Sequence, residues 1–244
     1  MIRYKVTLCF IGTNYHGWQV QKNAVAIQQV LQDKLQILLG TRPGISGCSR
    51  TDTGVHANMY CFHMDLDSEK DENKLLYSMN ALLPRDIAVK SVEKAGEGFH
   101  ARYSVVTKEY IYKIWNGRVR NPFYEGLSIH IRQPLDMEKM KEASYYFLGK
   151  HDFSAFCSAG SDVLDTTREI KTLKITKEED LVTITVEADG FLYNMVRIIV
   201  GTLLFVSEGK IKPGDIPDII ASKNRRKAGK TAPAKGLTLN HIHY

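Results

Sequence analysis

The amino-acid sequence predicts a mixed α+β protein made of two similar halves. Three observations support this fold class: segments whose polarity alternates as in β-strands, segments whose apolar residues recur at helical spacing, and a second half that resembles the first in its order of elements. The 244 residues are enough for one or two domains with a substantial core. We expect an N-terminal lobe over residues 1–104 and a C-terminal lobe over residues 105–244.

The first half is predicted to follow the order strand, helix, strand, strand, helix, strand. The predicted elements are a strand over residues 4–10, a helix over 27–39, strands around Ile45 and over 59–62, a helix over 71–83 and a strand over 87–92. Gly40 and Pro84 stand where the two helices end. This order favours an antiparallel sheet with both helices on one face.

The second half starts again with a long strand. The predicted elements are a strand over residues 107–115, a helix over 137–148, strands over 169–176 and 181–187, helices over 191–206 and 216–221, and a closing strand over 237–242. Asp136 stands at the N-cap position of the first of these helices. The two middle strands form a predicted hairpin across residues 178–180.

The composition indicates a folded protein of the cytoplasm that holds no metal and does not enter a membrane. Hydrophobic residues make up 43% of the chain and charged residues 25%, which excludes long disordered regions. The longest apolar stretch, residues 198–206, is too short to span a bilayer, and the N-terminus lacks the apolar segment of a signal peptide. The four cysteines form no C-x-x-C pair, which predicts free thiols rather than a zinc site or a disulfide framework.

The net charge of +6 favours a polyanionic partner, and much of it lies in one segment. Residues 223–235 contain no acidic residue and six basic ones: Lys223, Arg225, Arg226, Lys227, Lys230 and Lys235. One interpretation is a contact with nucleic-acid phosphates, and the other is an ordinary solvated surface. Together with Arg50, Arg102 and Arg197, the segment predicts a positively lined cleft.

The densest polar cluster is residues 47–57, GCSRTDTGVHA, between two predicted strands. It holds Arg50, Asp52 and His56, and its glycines allow a tight turn around the carboxylate. A loop held by strands on both sides can present a nucleophile, although such a turn can also be a simple connection. The tripeptide Asp-Thr-Gly also occurs in aspartic proteases, but those enzymes pair two copies, and this chain has one, with Arg50 beside it.

Two further candidates lie in the second half. Tyr110 shares a strand face with Tyr112 and Ile114, so by itself it is as consistent with a core aromatic as with a functional one. Arg197 lies on a predicted helix face with small residues one turn away, which allows a close approach to another backbone.

Residues 47–57 resemble the G-R-T-D-x-G-V-H loop of the tRNA pseudouridine synthase A family. Six other segments resemble motifs of that family, in the family's order, and extend the resemblance over nearly the whole chain: residues 17–21, 80–84, 99–102, 108–112, 151–153 and 190–197. The chain departs from the usual pattern at Ser49, where Gly is common, at Thr53, where Ala is common, and at residues 10–12.

The resemblance implies an enzyme that isomerises uridine to pseudouridine in the anticodon arm of tRNA, with no cofactor, as a homodimer. It also implies two α/β-sandwich lobes whose antiparallel sheets form a central extended sheet. Asp52 matches the family's nucleophile, Tyr110 the tyrosine that stacks on the target base, Arg197 the arginine that pairs with the aspartate, and Arg50 the arginine that helps displace the target. The residues expected to bind RNA are Tyr110, Arg50, His56, Arg102, Lys223, Arg225, Arg226 and Lys227.

Two other functions are considered beside this one. A non-catalytic RNA-binding module would have the same basic charge and the same kind of sheet, and a relative of the family would act on ribosomal RNA. The combination of Asp52, Tyr110 and Arg197 favours an enzyme, because detaching and rejoining a base requires a carboxylate that stays ionised, and an arginine partner keeps it so.

Overall fold

The computed structural model describes residues 1–160 and 163–244 and divides into two compact units. Unit 1 consists of Met1–Val106 and Thr238–Tyr244, and unit 2 of Thr107–Leu237. The change of unit after residue 106 lies close to the predicted boundary. The C-terminal residues, which the prediction assigned to the second lobe, belong to unit 1 instead.

The secondary structure follows the predicted order of elements. The strands are β1 (Ile2–Phe10), β2 (Ile45–Gly47), β3 (His56–Leu66), β4 (Ile87–Lys94), β5 (Thr107–Trp115), β6 (Ile129–His130), β7 (Gly149–Asp152), β8 (Thr167–Glu178), β9 (Leu181–Ala188) and β10 (Leu237–His243). The helices are α1 (Ile27–Leu39), α2 (Glu72–Leu82), α3 (Met137–Tyr145), α4 (Met195–Ser207) and α5 (Ile216–Ala221). The α+β fold class is confirmed, and the short strands β6 and β7 are additions to it.

Unit 1 is built on a sheet in which β1 pairs antiparallel with β4 on one side and with β3 on the other. The short strand β2 also pairs antiparallel with β3. Helices α1 and α2 contact each other, and each buries apolar residues one turn apart, such as Leu31 and Leu35 on α1 and Leu75 and Met79 on α2. Helical spacing of apolar residues therefore gives these helices their buried faces.

The C-terminal strand β10 belongs to unit 1 because it pairs with β3. The pairing is parallel, with Thr238 opposite His56. Three further hydrogen bonds tie the chain end to this unit: Val106 N–H to the His243 carbonyl (2.8 Å), the Tyr244 hydroxyl to the Ala101 carbonyl (2.9 Å), and Asn58 Nδ2 to Asn240 Oδ1 (2.8 Å). A parallel pairing between segments so far apart in sequence leaves no local pattern, so the predicted division at one point missed it.

Unit 2 contains an antiparallel sheet in the order β5, β9, β8, β7, with β6 parallel to β5. The predicted hairpin is confirmed: β8 and β9 pair up to Glu178 and Leu181, and Glu179 turns the chain with φ 52°. The Asp136 carboxylate accepts the Lys139 N–H at 3.1 Å, which confirms the predicted cap of α3. Helix α3 ends at Tyr145, short of the predicted residue 148.

Helix α4 begins four residues later than its apolar pattern predicts. Its first residue is Met195, and the preceding Asn194 adopts a left-handed conformation with φ 60°. Phe191 and Leu192 therefore lie before the helix, although their apolar side chains match its pattern. The predicted start at residue 191 is wrong because hydrophobic spacing does not report a backbone reversal at an asparagine.

A close backbone contact fixes α4 against residues 229–230. The Gly229 N–H donates to the Thr202 hydroxyl at 2.8 Å, and that hydroxyl donates to the Ile198 carbonyl at 2.8 Å. A Cβ atom added to Gly201 would lie 1.6 Å from the Lys230 carbonyl oxygen. The expected close approach of another backbone to the small residues of this helix face is therefore confirmed, and it requires glycine at position 201.

We expect Gly201→Ala to lower the free energy of unfolding by about 1–3 kcal/mol, because the added methyl group forces the two backbones apart. Gly214→Ala is the matched control in the same unit, since a Cβ at Gly214 meets no atom within 4 Å. Urea unfolding of both variants measures the difference. Equal unfolding free energies for the two variants would contradict this account of the contact.

Candidate active site

The polar loop of unit 1 lies between β2 and β3 and carries Arg50 and Asp52. Its backbone is held by three hydrogen bonds: Trp18 N–H to the Thr51 carbonyl (3.3 Å), Gly54 N–H to the Tyr15 carbonyl (3.2 Å) and Val55 N–H to the Asp52 carbonyl (3.1 Å). Two of them come from the segment that follows β1. Hydrogen bonds to residues outside the loop, together with the turn from Asp52 to Val55, therefore hold the loop backbone in place.

Two glycines that the sequence analysis did not single out as functional allow this segment to reach the loop. A Cβ on Gly12 would lie 1.9 Å from the Val55 carbonyl oxygen, and a Cβ on Gly17 would lie 2.2 Å from that of Thr51. Gly17 also has φ +75°, a conformation that favours glycine. Both positions thus require glycine for the loop to hold its place. Gly17 begins one of the segments that resemble a family motif, and Gly12 lies in a segment that departs from the family pattern.

Aromatic residues support the start of the loop. The rings of Trp18 and Tyr60 stack with centroids 4.1 Å apart, and the Tyr60 hydroxyl donates to the Ser49 carbonyl. A Cβ on Gly47 would lie 2.2 Å from the Tyr60 hydroxyl, so this ring pair fits closely over the loop's first glycine. Ser49, which departs from the family pattern, is thereby anchored through its carbonyl rather than its side chain.

His56 takes part in the same support and is only 2% exposed. Its Nδ1 accepts the Gly12 N–H at 2.9 Å. The His56 side chain is therefore buried behind the loop and bonded to its supporting segment, and its contact with RNA stays a prediction.

The loop presents its two charged residues differently. Asp52 is half-buried and Arg50 is exposed. The buried Thr51 hydroxyl between them has no hydrogen-bond partner within residues 1–160 and 163–244. Arg50 forms no ion pair with any residue that the structure describes. A carboxylate on a fixed backbone, partly shielded from water, suits nucleophilic catalysis.

In unit 2, Tyr110 lies on β5 and is 6% exposed. Its ring meets that of Phe191 edge to face, with centroids 5.1 Å apart and planes at 86°. Tyr112 on the same strand is fully buried, and its hydroxyl donates to the Pro233 carbonyl at 2.8 Å. Burial raises the pKa of Tyr112. Tyr110 and Tyr112 therefore share a buried face of β5, as the alternating pattern predicts.

Arg197 lies in the first turn of α4 with its guanidinium fixed. Its Nε donates to the Ala232 carbonyl and its Nη1 to Asn194 Oδ1, both at 2.7 Å. The Ala232 N–H returns a bond to the Arg197 carbonyl at 3.0 Å, and Asn194 Nδ2 donates to Ser158 Oγ at 2.9 Å. The side chain is therefore held in one orientation, which suits a planar cation that recognises an anion.

Several residues of the basic segment are already engaged within unit 2. Lys223 pairs with Asp152 at 2.8 Å and Lys235 with Glu125 at 3.0 Å. Arg225 donates to the Gly229 carbonyl at 2.9 Å and to Thr231 Oγ1 at 3.1 Å. Lys223 and Arg225 thus have partners within unit 2, and their contact with phosphates stays a prediction.

The other three cations of the segment are exposed, as Lys223 is, but differ from it in their contacts. Arg226, Lys227 and Lys230 have solvent-facing side chains and no ion pair with the residues for which the structure gives coordinates. Lys223, in contrast, forms an ion pair with Asp152. Hydrogen bonds from Lys223 and Thr166 lower the pKa of the Asp152 carboxyl.

The residues that the structure describes include neither a metal-binding cluster nor a membrane-spanning helix. Among these residues, no group of three or more His, Cys, Asp or Glu side chains is arranged to hold a metal ion. No helix there has the length and apolar character needed to cross a membrane. The four thiols are free, and burial raises the pKa of Cys61 to about 11.

The chain is similar over its whole length to relatives named tRNA pseudouridine synthase A. A family model described as tRNA pseudouridine synthase matches residues 8–104 and 143–244. The chain is 47% identical over 245 residues to a tRNA pseudouridine synthase A of Ruminiclostridium cellulolyticum, with 100% of each chain covered. It is 48% identical over 233 residues to one of Thermoanaerobacter sp., covering 96% of each, and 42% identical over 244 residues to one of Acetivibrio thermocellus, covering 100% of each.

His63, on β3, is a buried histidine that contacts the turn containing Ala101 and Arg102. His63 Nδ1 accepts the Ala101 N–H at 3.1 Å. Burial, followed by the neighbouring His100 and Arg3, lowers the pKa of His63 below its ordinary value of 6.5, against the opposite effect of Asp65. The unfolded chain therefore binds a proton more readily than the folded one, so the stability that neutral His63 provides is present above pH 6.5 and is lost as the pH falls through its folded pKa.

We expect the free energy of unfolding to decrease from about pH 7.5 to about pH 5.5, and to decrease less in His63→Asn, which keeps a hydrogen-bond acceptor but does not titrate. His16→Asn, at an exposed histidine of the same unit, is the control. Urea unfolding at both pH values measures the effect. An unchanged pH dependence in His63→Asn would show that His63 is not its source.

Proposed function

Because this chain belongs to the tRNA pseudouridine synthase family and is an isomerase that converts uridine to pseudouridine in tRNA, we propose that Asp52 is its nucleophile and the anticodon stem-loop its target. The main evidence for this function is that the chain is similar, over their full length, to relatives named tRNA pseudouridine synthase A. The geometry of the Asp52 loop supports the choice of nucleophile.

The reaction needs a group that holds one fragment while the base turns. The bond between uracil N1 and the ribose C1′ breaks, a bond between C5 and C1′ forms, N1 gains a proton and the C5 hydrogen leaves as a proton. In our proposal the Asp52 carboxylate bonds covalently to either the sugar or the ring between these steps. The fixed loop backbone limits the orientations of Asp52, so less entropy is lost when it attacks.

Arg197 is proposed as the cation that keeps Asp52 ionised. A guanidinium carries its charge at all working pH values and favours the ionised form of a carboxylate partner. The bonds of Arg197 to Ala232 and Asn194 fix the plane of that guanidinium before any substrate arrives. Fixed charges of this kind cost little reorganisation during reaction.

Tyr110 and Arg50 are proposed to handle the target base. Extruding a base from an RNA helix costs a few kcal/mol, and stacking on an aromatic ring returns about 1–3 kcal/mol. The edge contact with Phe191 holds the Tyr110 ring in one orientation for such stacking. Arg50 is exposed at the loop, where it is available to occupy the position that the base leaves.

We further propose a cytoplasmic homodimer in which Arg226, Lys227 and Lys230 contact tRNA phosphates. A non-catalytic RNA-binding module would need the basic surface but not the fixed Asp52 loop. A relative acting on ribosomal RNA would use the same catalytic residues, and a comparison of tRNA with ribosomal RNA as substrate separates it from this proposal.

We expect Asp52→Asn to abolish catalysis while folding and tRNA binding persist, because the amide keeps the shape of the carboxylate but loses its charge. Release of tritium from C5 of uridine in tRNA measures the chemistry directly. Asp67→Asn, at an exposed carboxylate of the same unit, should retain the parent rate. Tritium release by a folded Asp52→Asn protein at anything near that rate would refute the assignment.

We expect replacement of Arg226 and Lys227 by Gln to weaken tRNA binding and to reduce the slope of log affinity against log salt by roughly one unit per lost phosphate contact. The slope should stay nearly unchanged in Lys223→Gln, because Lys223 is paired with Asp152. Binding titrations at several salt concentrations give the slopes. An equal reduction in both proteins would contradict the division of the segment into engaged and available cations.

A further inference from the structure

A polar cleft of about 250 Å³ lies in unit 1 beside the Asp52 loop. One wall is formed by residues of the Asp52 loop and of the segments packed against it. The other wall is formed by the turn after β4 that contains His100, Arg102 and Tyr103. The lining residues are Trp18, Gln19, Gln28, Ile45, Ser46, Gly47, Ser49, Arg50, His100, Arg102 and Tyr103. None of them is acidic, so the cleft suits an anionic group.

His100 arranges the second wall. Its Nδ1 accepts the N–H groups of Arg102 (3.1 Å) and Tyr103 (3.3 Å). The backbone N–H of His100 donates to Ser104 Oγ at 3.0 Å, and the Ser104 N–H donates to the His100 carbonyl at 2.9 Å. The turn therefore has a fixed backbone, and the histidine ring acts as its cap.

Tyr103 is exposed on this fixed turn. Its side chain is 77% exposed, with the His100 ring 4.3 Å away at 30° and the Arg102 guanidinium 5.7 Å from its centroid. Its neighbours thus orient the ring while leaving most of it to solvent. An aromatic face beside a guanidinium is the usual pair for binding a nucleotide, with the ring for the base and the cation for the phosphate.

Arg50 faces the same cleft from the loop. Arg50 and Arg102 are both exposed, and neither forms an ion pair with a residue in the described part of the chain. Asp52 follows Arg50 by two residues, which is at most about 7 Å along the chain. The cleft therefore lies next to the segment that carries the proposed nucleophile, which suits the nucleotide adjacent to the target uridine.

We propose that this cleft binds a nucleotide next to the target uridine in the RNA, with its base stacked on Tyr103 and its phosphate between Arg50 and Arg102. This inference rests on the proposed function, because it requires the target uridine of an RNA strand to lie at Asp52. It makes Tyr103 a substrate-binding residue and His100 a positioning residue that acts through it.

Binding of an anticodon stem-loop RNA, with 2-aminopurine placed in turn at each nucleotide flanking the target uridine, tests the proposal. We expect fluorescence quenching on binding at one flanking position, and loss of that quenching in Tyr103→Leu. The same variant should bind the RNA roughly 5-fold to 100-fold more weakly, whereas Tyr103→Phe should stay close to the parent. In turnover, KM should rise in Tyr103→Leu with little change in kcat.

Two control variants define the origin of the effect. Tyr77 on α2 is 72% exposed in the same unit and does not line the cleft, so Tyr77→Leu should leave binding and quenching unchanged. His100→Asn places an oxygen acceptor near the position of Nδ1 and should preserve both, whereas His100→Leu should weaken binding as Tyr103→Leu does. Loss of binding in all four leucine and asparagine variants would overturn the proposal as a general folding effect.

Assays of the unaltered protein distinguish a failure of the cleft proposal from a failure of the proposed function. If the unaltered protein releases tritium from tRNA and Tyr103→Leu matches it in KM, affinity and quenching, the cleft proposal is overturned and the proposed function stands. If it releases no tritium but still shows Tyr103-dependent quenching, the nucleotide site stands and the proposed function falls.

Discussion

The candidate active site depends on one backbone contact: the segment after β1 lies directly against the loop that carries Asp52. Gly12 and Gly17 leave no room for a side chain at the contact, and backbone hydrogen bonds from Trp18 and to Tyr15 cross it. His56 and Tyr60 then hold the same loop from β3. A loop restrained on several sides keeps a carboxylate in place without the expense of a buried charge pair within the loop itself.

In unit 2, a close backbone contact also positions the candidate residue, Arg197. Gly201 and Gly229 bring the backbone of residues 229–230 onto α4. The Arg197 guanidinium then bonds across to Ala232, while Asn194 reverses the chain before the helix and accepts a second guanidinium N–H. In each unit, glycines permit a close approach and polar side chains complete it. The functional side chains are therefore placed by neighbouring backbone rather than by their own helix or strand alone.

Charge is distributed by the fold in a way that the sequence does not show. Lys223, Arg225 and Lys235 bond to groups within unit 2, although they belong to the most basic segment of the chain. Arg50 and Arg102, which are isolated in sequence, line one cleft together. Net charge alone thus indicated a polyanionic partner, and only the structure separates the cations that bond to groups within unit 2 from those that form no ion pair with the described residues.

Alternation, helical spacing and turn residues are local signals, and they were enough to predict the α+β class, most elements to within a few residues, and the loop with Asp52. They also indicated the close approach at Gly201. The contacts of the folded chain were needed to establish that β10 pairs with β3, that Asn194 delays the start of α4, and that His56 is buried while Tyr103 is exposed. These outcomes depend on contacts between segments distant in sequence, and a local pattern carries no information about which distant backbone will occupy the space beside it.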